Sequence, residues 1–192
     1  MKCFNNFTDP LWVIFYGNLL LLFCSLFYLI WWIVSFRPNS SGGAIGVFFI
    51  IAALIAGVVA ITLMSTGIIS LSFISKGLPV RLILIGGAVL FVVLLLVTNI
   101  AFHRIVTSEL IIIHIWAVLE LSAVAVLYGT GRFGFGRAAA LGALVGIATV
   151  VGLICYVLYY RLDGMSSYWD GMVPLITNSF VMAVFLGVLA IS

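Results

Sequence analysis

Charge is what this sequence has least of. Of its 192 residues, 8 are Lys or Arg and 5 are Asp or Glu, 7% in all. Soluble domains carry about a quarter charged residues, so a water-soluble domain is excluded by composition alone. The net charge of +3 is small and scattered, which excludes the basic footprint of a nucleic-acid-binding protein. Histidine is nearly absent, with 2 in the chain, and His103 lies near a span end. A multi-histidine metal site or a paired-haem site is therefore not expected. The 3 cysteines, Cys3, Cys24 and Cys155, are odd in number and dispersed. Two lie in apolar runs, where cysteine behaves as a small hydrophobe, and neither a disulfide nor a metal site is expected.

Other familiar chemistries also lack their residues. No acid pair has the spacing of two-metal chemistry, and no serine has a His–Asp arrangement beside it. The glycine-rich stretch from Gly129 to Gly136 lacks the lysine of a phosphate loop and does not follow a strand. Its Arg132 and the nearby Arg137 read instead as anchors for phospholipid headgroups, which makes membrane lipids a partner. Asn6-Phe7-Thr8 and Asn39-Ser40-Ser41 match the glycosylation pattern, which is short enough to arise by chance. No cofactor is implied.

What is abundant is apolar length. Hydrophobic residues make up 66% of the chain, in runs of about 20 residues or more, the length that crosses a bilayer. The runs are continuous rather than alternating, so they are helices and not barrel strands. The expected fold is an all-α, polytopic integral membrane bundle of six helices, forming a single transmembrane domain over residues 1–192. The spans are placed at about 10–36, 44–64, 80–101, 108–128, 138–160 and 172–191. Asp9 and Pro10 suit the cap and first position of the first helix. That first run, Leu11 to Phe36, is too long for a signal-peptide core and reads as a span.

Two connectors are less plain. Ser65 to Pro79 holds an apolar stretch too short to span, expected as an amphipathic surface loop or else a re-entrant segment. Arg161 to Met172 contains two Asp-Gly pairs, which favour turns.

With six spans, Lys2, Lys76, Arg81, Arg132 and Arg137 share one side, and Arg37, Arg104 and Arg161 the other. The slight excess places both termini in the cytoplasm, at the inner membrane of a bacterium.

Small residues form stripes at helical spacing in the second span (Gly46, Ala53, Gly57, Ala60) and in the fifth (Gly142, Gly146, Thr149, Gly152). Such stripes either pack helices inside a bundle or dock a partner, homo- or hetero-oligomeric. A shift of about 95 residues lays Ala44 on Ala139, Gly57 on Gly152 and Pro79 on Pro174, the pattern of a 3+3 inverted repeat. His114 and Glu120 have no counterparts under that shift.

The chemistry, if any, lies in the fourth span. Glu120 sits in the middle of the apolar run Leu110–Tyr128, and His114 lies six residues before it. An ionisable group at such depth faces a bundle interior or a wet cavity. At about 100° per residue, the two point roughly 120° apart and stand about 9 Å apart along the axis, too far for a direct pair. On the chosen orientation, Asn99, Asn178 and Tyr156 reach the level of His114, and Trp116 completes the set. Asp163 and Asp170 at the mouth would favour a cation. The alternative is a protonated structural Glu120 and a core His114 that donates to a carbonyl, because burial disfavours charged forms. Asn18 reads as glue between helices.

Three functions are compatible with this pattern. The first is small-solute transport, by a proton-coupled carrier or a substrate-binding membrane subunit of an importer, with a small molecule or cation as ligand. The second is an accessory or assembly subunit. The third is an embedded enzyme acting on a lipid or isoprenoid. The enzyme is the least favoured of these, since few polar groups cluster near one membrane face.

Overall fold

A computed structural model describes residues 9–36, 43–74, 78–102, 108–159, 162 and 164–191. The described residues form six α-helices: α1 (Pro10–Phe36), α2 (Gly43–Ile74), α3 (Leu78–Phe102), α4 (Ser108–Gly129), α5 (Phe135–Tyr159) and α6 (Met165–Ile191). All six are long and apolar enough to cross a bilayer, and the chain is an integral membrane protein. Several helical hydroxyls are satisfied within their own helices. Thr62, Thr66, Ser72, Thr98, Thr149 and Thr177 each donate to a carbonyl three or four residues earlier, at 2.7–2.9 Å. In lipid this removes donors that would otherwise lack a partner.

Local chemistry sets several helix ends. Asp9 caps α1: its Oδ1 accepts from the Leu11 amide at 3.1 Å, and its carbonyl accepts from Trp12 at 2.9 Å. The glycine-rich stretch after α4 is a helix-terminating turn. Gly131 takes the left-handed conformation (φ 74°). Its amide bonds to the Tyr128 carbonyl at 2.9 Å, and the Arg132 amide bonds to Leu127 at 3.0 Å. That double return is a Schellman motif, and Phe133 is buried just beyond it.

Parts of two expected connectors turn out to be helix. Of the segment expected as a surface loop, residues 65–74 are the last part of α2, which is continuous to Ile74. Ile68 and Leu71, three residues apart, are buried on one face of it, while Ile69 and Phe73 are exposed. At 32 residues α2 is about 48 Å long, more than the roughly 30 Å of a hydrocarbon core. The sixth helix also starts seven residues early, at Met165. Gly164 of the first Asp-Gly pair lies in a turn, at φ 62°. Gly171 of the second lies inside α6, where a Cβ would collide with the Trp32 indole. Packing overrides the local turn preference there.

The chain groups into two compact units: Met1–Gly67 with Val150–Ser192, and Ile68–Thr149. Neither unit is a three-span half. The prolines of the suggested repeat also differ in role, since Pro79 stands at the start of α3 and Pro174 inside α6.

In the first unit, α1 is the hub. A Cβ on Gly17 would lie 2.8 Å from Met64 Cγ and 2.9 Å from the Met64 amide nitrogen. One on Gly67 would lie 2.7 Å from Ile14, one on Gly46 2.8 Å from Ser35 Oγ, and one on Gly57 3.1 Å from Cys24 Sγ. The small-residue stripe of α2, including the buried Ala53 and Ala60, is thus an internal packing face, with Gly46 and Gly57 against α1. Against α6, the Ser179 hydroxyl meets that of Ser25 at 2.9 Å, and both donate to the Leu175 carbonyl.

In the second unit, α3 and α4 pack at Gly87, where a Cβ would come within 2.7 Å of Val118 Cγ2. Two of the three glycines of the α5 stripe differ from these, while the third, Gly152, is buried. A Cβ on Gly142 or Gly146 would meet nothing within 4 Å.

Candidate functional site

Among the six spans α4 is the most enclosed and α3 the least. One face of α4 is a buried stripe of Leu110, Ile113, Trp116, Ala117, Glu120, Ala123, Val124 and Leu127, at the three- and four-residue spacing of a helix. Glu120 is the polar member of this stripe and has no exposed surface. Trp116, one turn earlier, is 4% exposed, and its indole N–H has no hydrogen-bond partner. Ser122, off the stripe, is also buried with its hydroxyl unpartnered. Buried donors in proteins are nearly always paired, so two unpaired ones within two turns of a buried carboxyl mark α4 as unusual.

His114 lies on a different face. Its ring packs on Phe91 of α3, with centroids 5.3 Å apart and planes at 38°, and donates a hydrogen bond to the Gly87 carbonyl. Val118, four residues on, meets Gly87 as well. The α3-facing side of α4 therefore carries His114 and Val118, and Glu120 points about 160° away from Val118. The structure does not bring His114 and Glu120 together.

The remaining predicted residues belong to both compact units. Asn99 is exposed near the end of α3, whereas its neighbour Thr98 is buried. Asn178 is buried in α6 and Tyr156 is half-buried in α5, both in the first compact unit. Asn18 is wholly buried in α1. His103, Tyr160 and Asp163 lie outside the described residues, as do the side chain of Glu109, the two Asn-Xaa-Ser/Thr tripeptides, and Lys2, Arg37, Lys76, Arg104 and Arg161.

Two polar clusters escaped the sequence reading. One is the Ser25–Ser179 pair between α1 and α6. The other joins the Cys155 thiol of α5 to the Asp170 carboxylate of α6. Among the described residues no three His, Cys, Asp or Glu side chains converge to hold a metal ion. No protein-family model, no curated protein and no solved structure matches the chain.

Proposed function

We propose that this chain is a small-solute membrane transport protein, acting as a proton-coupled carrier or as the substrate-binding membrane subunit of an importer. The observation that carries this reading is Glu120, a carboxyl with no exposed surface at the middle of the most enclosed span. Ionisable groups held at that depth are costly and mark solute or proton pathways. The neighbouring Trp116 supplies an aromatic wall and an unused N–H donor on the same stripe. In this reading Glu120 exchanges a proton or accepts from a polar solute, and Trp116 packs against that solute. His114 positions α4 on α3 through its bond to Gly87. The membrane is the inner membrane of a bacterium, with both termini in the cytoplasm.

The test is a thermal-stability screen of the purified protein against metabolites, vitamins, cations and lipid headgroups, with Glu120→Gln in parallel. A solute that raises the wild-type midpoint and leaves the variant unmoved supports transport through this site. Wild type and variant responding alike to every compound would contradict it.

A second reading is favoured by a different observation. A Cβ on Gly17, Gly46, Gly67 or Gly87 would press against a neighbouring helix, but the space beside Gly142 and Gly146, four residues apart on one helix, is open. An accessory subunit of a membrane complex would use that stripe to receive another helix. It predicts that Gly142→Leu releases a partner while Glu120→Gln changes nothing.

A further inference from the structure

At one end of the second unit the described charged side chains are all positive. The turn after α4 carries Arg132, and Arg137 stands in the first turn of α5; both are exposed. Phe91 meets His114 and Gly87 faces Val118, so α3 runs antiparallel to α4 and begins where α4 ends. Arg81, exposed near the start of α3, therefore belongs to the same end. At 1.5 Å per residue it lies about 9 Å beyond the Gly87–Val118 contact and Gly129 about 16 Å beyond it, a difference that a snorkelling arginine closes. Among the described side chains of this unit the acid is Glu120, buried and nine residues before the end of α4.

The turn itself is fixed and uncovered. The amides of Arg132 and Phe133 both bond to the Leu127 carbonyl at 3.0 Å, and the Phe133 side chain is buried, so Arg132 stands on a held backbone. A Cβ on Gly131, Gly134 or Gly136 would meet nothing within 4 Å, so no described segment overlies the turn at those positions. Tyr128 is exposed beside it, with its ring edge-on to the exposed Phe135, and tyrosine settles at the headgroup level of a bilayer.

We infer that this corner of α3, α4 and α5 docks the headgroup of an anionic phospholipid. Arginine pairs with phosphate oxygens through two N–H groups at once, and span ends hold these arginines at the depth of the bilayer phosphates. The absence of a described acid at this end sets the selectivity. A zwitterionic headgroup brings its own ammonium into a patch of three guanidiniums, whereas an anionic one brings only the charge the patch attracts. A lipid held by all three arginines ties the starts of α3 and α5 to the end of α4, so it stabilises the fold. The inference does not depend on Glu120 or on which side of the membrane this end faces.

The experiment places the full chain in nanodiscs of phosphatidylcholine, or of an equal mixture of phosphatidylcholine and phosphatidylglycerol. Two readouts are taken: the thermal midpoint, and the preference for phosphatidylglycerol among lipids that stay bound on extraction, counted by mass spectrometry. Phosphatidylglycerol is expected to raise the midpoint, and the rise to shrink in about 1 M salt, where the screening length falls to about 3 Å. Arg132→Gln with Arg137→Gln is expected to lower the lipid preference about 30-fold, at about fivefold per arginine. Arg81→Gln leaves the turn untouched and is expected to lower it about fivefold, which keeps the test intact if the double variant misfolds. Glu120→Gln is expected to leave the preference unchanged. Equal midpoints in the two bilayers would overturn the proposal. So would a preference that survives all the arginine substitutions, or inorganic phosphate reproducing the rise in phosphatidylcholine alone, which would make the occupant a free anion.

Discussion

A carboxyl with no exposed surface in the middle of a membrane helix serves either a transported species or a fixed hydrogen bond. Replacement with glutamine separates the two for Glu120, because the amide keeps the shape and loses the exchangeable charge. Glu120→Gln is expected to fold, with a helical circular-dichroism spectrum like that of wild type, and to lose at least about tenfold in solute affinity or uptake. The Ser25–Ser179 contact is a different case, since it only joins helices. A double-mutant cycle with Ser25→Ala and Ser179→Ala, read by unfolding in mixed detergent, should give a coupling of about 0.6 kcal/mol and not above about 1.7. Glu120 was legible in the sequence because a single carboxylate stands out in a run of apolar residues. The Cys155–Asp170 bond was not. It depends on the register between α5 and α6, and the Asp-Gly pair that suggested a turn is held helical by the Trp32 ring against Gly171.

At the scale of helices, glycines sort by what lies beside them. Gly17→Ala would push a methyl to 2.9 Å of the Met64 backbone, which cannot rotate away. It is expected to destabilise the protein by about 1–3 kcal/mol. Gly87→Ala should cost a similar amount, and Val118→Ala should restore much of it, because the obstacle there is a side-chain methyl at 2.7 Å. Gly142→Ala meets nothing and should be neutral or stabilising by up to about 1 kcal/mol through helix propensity. Thermal midpoints of the three variants in one detergent decide the order. Span existence was readable because apolar length and helix length are one quantity in a bilayer. The extra turns of α2 were not, since an apolar stretch too short to span by itself continues the preceding helix, where Thr66 and Ser72 bond back to carbonyls of that helix. The two small-residue stripes looked alike in sequence. Only tertiary packing distinguishes the one with Gly46 and Gly57 against α1 from the one with open space at Gly142 and Gly146.

At the scale of the molecule, six apolar helices place the protein in a membrane, and its described interior polar groups lie on a few helix faces. The α4 stripe carries Glu120 and Trp116, the α3-facing side of α4 carries His114, and the α1–α6 seam carries the serine pair. If the open stripe of α5 docks a second chain, Gly142→Cys should cross-link to a partner in native membranes, and Gly142→Leu should abolish the complex. Monomeric migration of both would leave the bundle acting alone. The claim on which the functional account turns is that Glu120 changes state during work. Infrared difference spectroscopy on protein carrying isotope-labelled glutamate addresses it directly, because the chain has only Glu109 and Glu120 to assign. The account predicts a labelled carboxyl band that disappears in Glu120→Gln and shifts on adding a stabilising solute or on titration from about pH 5 to 8. A Glu120 band that stays fixed under both treatments would contradict it and leave the residue a structural acid.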